Sequence, residues 1–90
     1  MQVNQSPSFR KVYKKLHNNQ KTDVNTAVRE LMGNPSLGES KTGNLTGVLV
    51  YKFRMVKQET LLAYTFDAYS QVLTLMSLGS HENFYRDLKK

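Results

Sequence analysis

The chain contains no cysteine. Disulfides, thiol nucleophiles and most structural zinc sites are therefore excluded, and a reducing cytoplasm is the expected compartment because small secreted domains usually need such cross-links. Acidic residues are also few: seven in 90, dispersed singly along the sequence. A carboxylate metal site is not expected, and we predict a protein that works without a metal or a small-molecule cofactor.

Long apolar runs are missing as well. No stretch approaches the 18 residues that span a bilayer, and the segment Met1–Pro7 lacks the charged start and apolar run of a signal peptide. The two histidines, His17 and His81, stand far apart, and neither a Walker loop nor a nucleophile elbow occurs. Export, membrane insertion and the common hydrolase chemistries are therefore not indicated.

Positive charge is what the chain has in excess. Thirteen Lys and Arg stand against seven Asp and Glu, a net charge of +6 that favours binding to polyanions. The 90 residues suit one domain, placed over residues 1–90, and a hydrophobic content of 39% is enough for a compact core. The composition predicts a single small basic domain whose partner is a nucleic acid or an acidic protein.

Two helices are predicted in the first third of the sequence. Ser6 is placed as the N-cap and Pro7 as the first residue of a helix that runs to Leu16, with apolar residues on one side and cationic residues on the others. After a polar turn over residues 17–20, a second helix begins near Lys21. Gly33 is predicted to end it in the left-handed conformation, so that the pair forms an αα-hairpin.

After a long loop over residues 34–46, the apolar period changes from 3.6 to 2, which indicates strands. Lys57–Glu59 and Asp67–Ser70 are predicted to be the turns of an antiparallel meander. Its strands are Val48–Val56, Thr60–Phe66 and Gln71–Leu78. The sheet is expected to end at Gly79–Ser80.

Two short terminal elements complete the prediction: a strand over Gln2–Gln5 at the sheet edge and a helical turn or two over Glu82–Lys89. The predicted fold class is α+β, an N-terminal helical hairpin packed on a small antiparallel sheet in the order β-α-α-β-β-β. The face of the sheet away from the helices is left open for function.

The most informative pair on that open face is Lys52 and Arg54. Period-2 geometry places both side chains on one side of the strand, roughly 7 Å apart, a spacing that matches neighbouring phosphate oxygens. Basic residues on a solvent-facing strand also serve solubility and protection of a sheet edge, so the strand alone does not decide between the two interpretations.

His81 and Tyr85 follow the last strand, where the chain can fold back over the open face. Histidine exchanges protons near neutral pH, and Tyr85 would share its side of a helical turn. His81 is also compatible with an inert surface position, and the position of Phe84 and Tyr85 by itself favours docking of the last turn onto the core.

Metal-free RNA cleavage needs a base for the 2′-OH proton, cations for the phosphorane charge, an acid for the leaving 5′ oxygen and a side chain that stacks on the splayed base. The residues that would supply these functions are Lys52, Arg54, His81 and Tyr85. Because DNA lacks the 2′-OH, this chemistry would be specific to RNA.

The order of elements, together with the segments Val50–Arg54, Leu61–Tyr64 and Ser77–Tyr85, resembles the RelE/ParE toxin superfamily of type II toxin–antitoxin systems. The resemblance covers nearly the whole chain. Its RelE-type branch consists of ribosome-dependent mRNA endonucleases with two basic residues on the central strand, a basic residue or histidine after the last strand, and an aromatic residue beyond it. In this sequence these are Lys52, Arg54, His81 and Tyr85.

The resemblance implies a metal-independent endoribonuclease that cuts mRNA in the ribosomal A site, contacts ribosomal RNA and inhibits translation. It also implies a cognate antitoxin that wraps the toxin and blocks the same surface. The residues expected to bind RNA are Lys52, Arg54, Lys57, Arg86, Lys89 and Lys90.

The sequence departs from the RelE pattern at Thr60, where an arginine often starts the second strand of the meander. Lys57, in the preceding turn, is the candidate to supply the missing charge. The departure leaves room for a ParE-like inhibitor of DNA gyrase without nuclease activity, whose contacts would come from the helical hairpin and the terminal segment. A noncatalytic RNA-binding domain is a third possibility, although it leaves His81 unexplained.

Overall fold

A computed structural model of the chain describes residues 1–40 and 47–80. Helix α1 (Pro7–Lys14) begins as predicted, because the Ser6 hydroxyl oxygen accepts a hydrogen bond from the Phe9 N–H at 3.1 Å. The same hydroxyl donates to the Met76 carbonyl at 2.6 Å. Ser6 therefore caps the helix and fixes its first turn to the last strand of the sheet.

Helix α2 (Asn18–Gly33) begins earlier than the sequence predicted, so the expected turn over residues 17–20 is wrong. His17 is the N-cap, and the Gln20 side-chain oxygen accepts a hydrogen bond from its backbone N–H at 2.8 Å. This bond satisfies a donor that the start of a helix leaves free, and it makes these polar residues helical.

The left-handed cap predicted at Gly33 is also wrong, since Gly33 is the last residue of α2 and the chain leaves the helix at Asn34, with φ −152°. A residue before proline is confined to extended conformations, which accounts for the position of the break before Pro35. The Asn34 side chain accepts a hydrogen bond from the Ser36 N–H at 3.2 Å and starts a 3₁₀ turn over Pro35–Leu37.

The described residues form five strands in one sheet of order β1-β5-β4-β3-β2. The strands are β1 (Gln2–Gln5), β2 (Glu39–Ser40), β3 (Leu49–Met55), β4 (Gln58–Asp67) and β5 (Val72–Ser80). The predicted α+β fold and the three-stranded meander are confirmed, and so is the edge strand β1. The sheet is mixed rather than antiparallel throughout, because β1 runs parallel to β5.

Two further details of the sheet differ from the prediction. The first is β2, which lies inside the segment predicted to be a loop and pairs with the start of β3. The second is the end of β5: Gly79 and Ser80 pair with Leu61 and Thr60 instead of ending the sheet. Ladder hydrogen bonds use only backbone groups, so the small side chains of Gly79 and Ser80 do not prevent pairing. The predicted terminal helix lies outside the described residues.

The core lies between the helices and one face of the sheet. Phe9 of α1 and Val24 and Leu31 of α2 pack with five residues of β4 and β5. Those five are Leu62, Tyr64, Leu73, Leu75 and Leu78. Because helical and strand periods place these residues on facing sides, the opposite face of the sheet is left to the residues that alternate with them.

The β3–β4 hairpin turns on two residues, Val56 and Lys57, whose φ values are +49° and +69°. Two consecutive positive φ angles are the geometry that matches the twist of a two-residue hairpin. The predicted turn over Lys57–Glu59 is therefore wrong. A carboxylate on α2 supports the observed turn, since Asp23 Oδ2 accepts a hydrogen bond from the Val56 N–H at 2.8 Å.

Val56 is β-branched, and left-handed backbone costs such a residue about 1–2 kcal/mol. Val56→Asn is therefore expected to raise the free energy of unfolding by about 1 kcal/mol, measured by urea denaturation, because Asn tolerates positive φ. Val56→Thr keeps the branch and is the matched control, with no gain expected. Equal stability of the Asn and Thr variants would contradict strain at this position.

The Tyr51 side chain links the sheet to α2, because its hydroxyl donates to Glu30 Oε2 at 2.5 Å. This hydrogen bond to a carboxylate, with a smaller effect of burial, raises the pKa of Tyr51 to about 12. The folded pKa lies above the ordinary value of 10.0. The stabilisation from this bond is therefore complete below pH 10 and disappears as the pH rises from 10 to 12.

Glu30→Gln is expected to return the pKa of Tyr51 toward 10, since it removes the negative charge next to the phenol. Absorbance at 295 nm against pH measures the titration, and Tyr51→Phe identifies which part of the curve belongs to Tyr51. Burial also raises the pKa of Tyr64, which is present in all three proteins. Identical difference curves for the wild type and Glu30→Gln would contradict the assignment.

Candidate functional site on the open face of the sheet

Lys52 and Arg54 lie on the face of β3 that points away from the helices, and both side chains are exposed. The alternation predicted for this strand is confirmed, because Tyr51, before Lys52, and Phe53, between Lys52 and Arg54, pack against the helical core. Across the antiparallel ladder, Lys52 stands opposite Leu61 and Arg54 opposite Glu59. The strand therefore presents two cations side by side.

An apolar cluster lies beside these cations on the same face. It consists of Val50, Leu61 and Ala63, with Val48 and Met76 packed against them. Leu61 is only 1% exposed and Ala63 is fully buried, although both alternate with residues of the helical core, so this part of the face is not open as the sequence predicted. A charge next to buried apolar surface is screened less than one in open water, so an anion held here would interact more strongly with Lys52.

Arg54 is held by the neighbouring turn. Its Nη1 donates to the Lys57 carbonyl at 3.2 Å. A guanidinium carries five N–H donors in a planar fork, so this single bond leaves donors for a bidentate contact with a phosphate. Asp23 supports the turn from α2, which gives the guanidinium a connection to the rigid part of the fold.

Glu59 is the site residue that the sequence reasoning missed. It was assigned to a turn, but it belongs to β4 and is paired with Arg54 in the register. Directly opposed residues of an antiparallel pair have their Cβ atoms about 4.5–5.5 Å apart, so Glu59 shares the face of the sheet with Arg54. A recognisable two-residue hairpin turn would have placed Glu59 in the strand. Val56 and Lys57 form such a turn but lack the Asn-Gly pattern that is typical of one.

Thr60 does not lie on the open face. A three-residue turn would have placed it opposite Val56, on the side of Lys52 and Arg54. The observed register instead places it opposite Phe53, and its side chain is 2% exposed with the hydroxyl donating to the Gln58 carbonyl at 3.2 Å. A basic residue at position 60 would point toward the helical side, so Thr60 removes no charge from this surface.

Lys57 is exposed in the turn at the same end of β3 as Arg54. The other residues predicted for the site lie outside the described residues. They are His81, Tyr85, Arg86, Lys89 and Lys90. Ser80, the last described residue, ends β5 opposite Thr60. We use the name sheet site for Lys52, Arg54, Lys57 and Glu59 together with Val50, Leu61 and Ala63.

Two kinds of feature are absent from residues 1–40 and 47–80. No three histidine or acidic side chains in these ranges lie together as a metal ion would require. In the same part of the chain, no helix has the length and apolar character needed to cross a membrane.

The fold is shared with solved toxin structures, at identities that establish the fold alone. The intact RelBE toxin–antitoxin complex of E. coli matches with a TM-score of 0.72 at 17% identity, covering 90% of this chain and 96% of that one. The RelBE2 complex of Mycobacterium tuberculosis matches with a TM-score of 0.75 at 17% identity, covering 89% of this chain and 96% of that one. A YoeB/ParE toxin from Agrobacterium tumefaciens matches with a TM-score of 0.73 at 18% identity, covering 90% of this chain and 99% of that one.

The sequence itself identifies the family. The family model of the ParE-like toxin of type II bacterial toxin–antitoxin systems matches residues 3–89. A comparison with curated proteins found no match. Since the family match spans nearly the whole chain, the chain belongs to the ParE-like toxin family, and the superfamily indicated by the sequence is confirmed.

Proposed function

We propose that the chain is a ribosome-dependent mRNA endonuclease that inhibits translation and is neutralised by a cognate antitoxin. The observation that carries this proposal is the pair Lys52 and Arg54, exposed on one strand face beside buried apolar residues. Two cations two residues apart bridge a phosphate and its neighbour, and one of them is already oriented by the turn at Lys57.

The proposed reaction is a transesterification within the RNA. The 2′-hydroxyl gives up its proton to a base as its oxygen attacks the adjacent phosphorus. The bond to the 5′ oxygen breaks and that oxygen takes up a proton, so the products are a 2′,3′-cyclic phosphate and a 5′-hydroxyl end. Lys52 and Arg54 bind the scissile phosphate and stabilise the charge of the phosphorane, where preorganised donors have their largest effect. His81 takes part in proton transfer and Tyr85 stacks on the displaced base.

Further cations would hold the RNA strand on either side of the scissile bond. Lys57 stands next to Arg54 in the described fold. Arg86, Lys89 and Lys90 are proposed for the same role from the sequence. Contacts of this kind position a nucleic acid without reading its bases, so they would operate on any mRNA presented by the ribosome.

The proposed protein partner is an antitoxin that covers the sheet site. Two of the matching structures are themselves toxin–antitoxin complexes. An antitoxin segment that binds here would meet the exposed cations Lys52 and Arg54, whereas Val50, Leu61 and Ala63 beside them are buried. An acidic segment is the chemistry that fits the two cations.

A second candidate function is inhibition of DNA gyrase without nuclease activity, and the observation that favours it is that the matching family model is the ParE-like one. Primer extension on cellular mRNA after induction separates the two functions. Cleavage within codons is expected for the endonuclease. Intact mRNA with an induced DNA-damage response would refute it in favour of the gyrase inhibitor.

A further inference from the structure

Helix α1 carries a second cationic surface that the sheet site does not use. We call it the α1 outer face and define it as Arg10, Lys11, Lys14 and Lys15, all of which are exposed. Three of them, with Pro7, line a shallow cleft of about 400 Å³. The first apolar residue of α1, Phe9, stands two positions after Pro7, and two positions correspond to a rotation of about 200° around a helix. The cationic cleft and the apolar residues therefore lie on opposite sides of α1.

No acid lies close in sequence to compensate these charges. The first acidic residue of the chain is Asp23, so residues 1–22 contain five cations and no anion. Like charges four residues apart destabilise a helix by about 0.2–0.5 kcal/mol per pair, and Arg10 and Lys14 form one such pair. The helix dipole disfavours only Arg10, at the end of the first turn, because Lys11 and Lys14 lie in the last turn, where the dipole favours a cation. A polyanion bound to this face would relieve the repulsion between the cations.

The α1 outer face and the sheet site point to opposite sides of the molecule. Phe9 of α1 packs against the face of the sheet that carries Leu62 and Tyr64, whereas Lys52 and Arg54 lie on the reverse face. Helices and sheet therefore stand between the two surfaces. One strand lying across Lys52 and Arg54 cannot reach α1, so the outer face needs a separate anionic segment.

We propose that the α1 outer face binds the phosphate backbone of double-helical RNA as a second contact, independent of the sheet site. Neighbouring cations on a helix stand about 5–6 Å apart, which suits the regular charge spacing of a backbone. Single strands are held largely by stacking on aromatic residues. The two aromatic residues of α1, Phe9 and Tyr13, are buried or half-buried on the core side, which leaves backbone recognition.

The proposal rests on the proposed function in one respect, since it takes RNA as the polyanion. Contacts to phosphates fix the orientation of a protein on a nucleic acid without reading sequence. Binding at the α1 outer face would thus orient the toxin on a folded RNA while the sheet site faces a separate strand. This divides the basic charge of the chain into an orienting surface and a cleaving surface.

Binding to a fluorescein-labelled RNA duplex of 16 base pairs tests the proposal. The duplex is 2′-O-methylated so that it cannot be cleaved, and anisotropy is recorded between 50 and 300 mM KCl. The variant Lys11→Gln/Lys14→Gln removes two charges from α1, and Lys21→Gln/Arg29→Gln removes two from α2 as the matched control. Gln has a helix propensity close to those of Lys and Arg, so both helices should persist, with circular dichroism as the check.

The α1 variant is expected to bind about tenfold more weakly at 50 mM KCl. Its plot of log affinity against log salt should be less steep by roughly 1.8, because each lost phosphate contact removes about 0.9 from the slope. The control should keep the wild-type slope and lose less than about threefold in affinity. If the double variant unfolds, the single variants Lys11→Gln and Lys14→Gln replace it, and each is expected to show half of the slope change.

Equal losses in the α1 variant and the control would overturn the proposal, because they would show a diffuse effect of net charge. Unchanged duplex affinity with lost binding to a poly-glutamate peptide would also overturn it and would assign the face to an acidic protein segment. Neither result touches the sheet site. Cleavage of mRNA on ribosomes, and its dependence on Lys52 and Arg54, is measured separately and tests the proposed function by itself.

Discussion

Replacement of Lys52 and Arg54 by methionine is expected to lower the rate of mRNA cleavage on programmed ribosomes by at least about 100-fold. Loss of one preorganised donor to a developing oxyanion costs about 10²–10³ in rate, and this double variant removes both cations from the proposed phosphate position. Methionine keeps the length of the side chains beside Val50 and Leu61, so the fold should persist. Single-turnover cleavage of a labelled mRNA, followed on gels, measures the effect.

The variant Lys21→Met/Arg29→Met is the matched control for that experiment. It removes the same charge from α2, where Lys21 stands 5.5 Å from the centre of the Tyr13 ring and Arg29 contacts Thr26. We expect its cleavage rate to stay within about threefold of wild type, since the change is a loss of net charge away from the sheet site. Full activity of Lys52→Met/Arg54→Met would refute the assignment of the scissile phosphate to these residues.

Arg54→Lys separates charge from geometry at the sheet site. The substitution keeps a cation but replaces the planar fork that bonds the Lys57 carbonyl by a single ammonium group. An intermediate rate is therefore expected, above that of Arg54→Met and below that of the wild type. A rate equal to that of the wild type would show that Arg54 acts as a point charge and that its contact with the turn has no part in catalysis.

Gly38→Ala is expected to destabilise the fold by about 2–3 kcal/mol, because it adds a methyl group where the structure has no room. A Cβ built on Gly38 would lie 2.5 Å from the hydroxyl oxygen of Tyr64 and 2.7 Å from Cε1 of the same ring. Tyr64 is fully buried, and its hydroxyl donates to the Pro35 carbonyl at 2.6 Å and accepts from the Gly38 N–H at 2.8 Å. The ring therefore cannot move aside.

A double-mutant cycle with Tyr64→Phe tests this explanation by urea denaturation. Tyr64→Phe alone should cost about 1–3 kcal/mol, since it leaves the Pro35 carbonyl and the Gly38 N–H without their partner. The double variant should cost less than the sum of the two, because the phenylalanine lacks the oxygen that the new methyl group would meet. Strict additivity would mean that the destabilisation by Gly38→Ala has another cause. Gly33→Ala, with open space around the added methyl group, is the matched control.

Local features of the fold could be predicted wherever one segment decided them. The cap at Ser6 depends on neighbouring backbone donors, and the apolar stripe of α1 depends on helical period, so both were visible in the sequence. The same holds for β3, where alternation alone placed Lys52 and Arg54 on one face. The start of α2 was missed because His17 acts as N-cap through its backbone and the Gln20 side chain, a pattern that residue preferences do not indicate.

The candidate site could be predicted only in part, because it depends on how strands meet. Between a three-residue turn and the observed turn at Val56 and Lys57, Thr60 moves from the face of Arg54 to the helical face, and Glu59 moves from the turn into β4 opposite Arg54. A shift of register by an odd number of residues moves every side chain of a strand to the other face. The residues Val56 and Lys57 do not themselves favour positive φ. The twist of the hairpin favours it, and the Asp23 carboxylate on α2 supports the turn by accepting a hydrogen bond from the Val56 N–H.

By itself, the sequence determined that this chain is basic and without thiols, that its main elements are two helices followed by strands, and that Lys52 and Arg54 share one strand face. These properties follow from composition and from the 3.6 and 2 periods, which the backbone sets within each segment. The tertiary structure alone decided the parallel edge strand, the pairing of Arg54 with Glu59 and the burial of Thr60. Those depend on contacts between residues distant in the chain, such as Asp23 with Val56, and no local pattern encodes them.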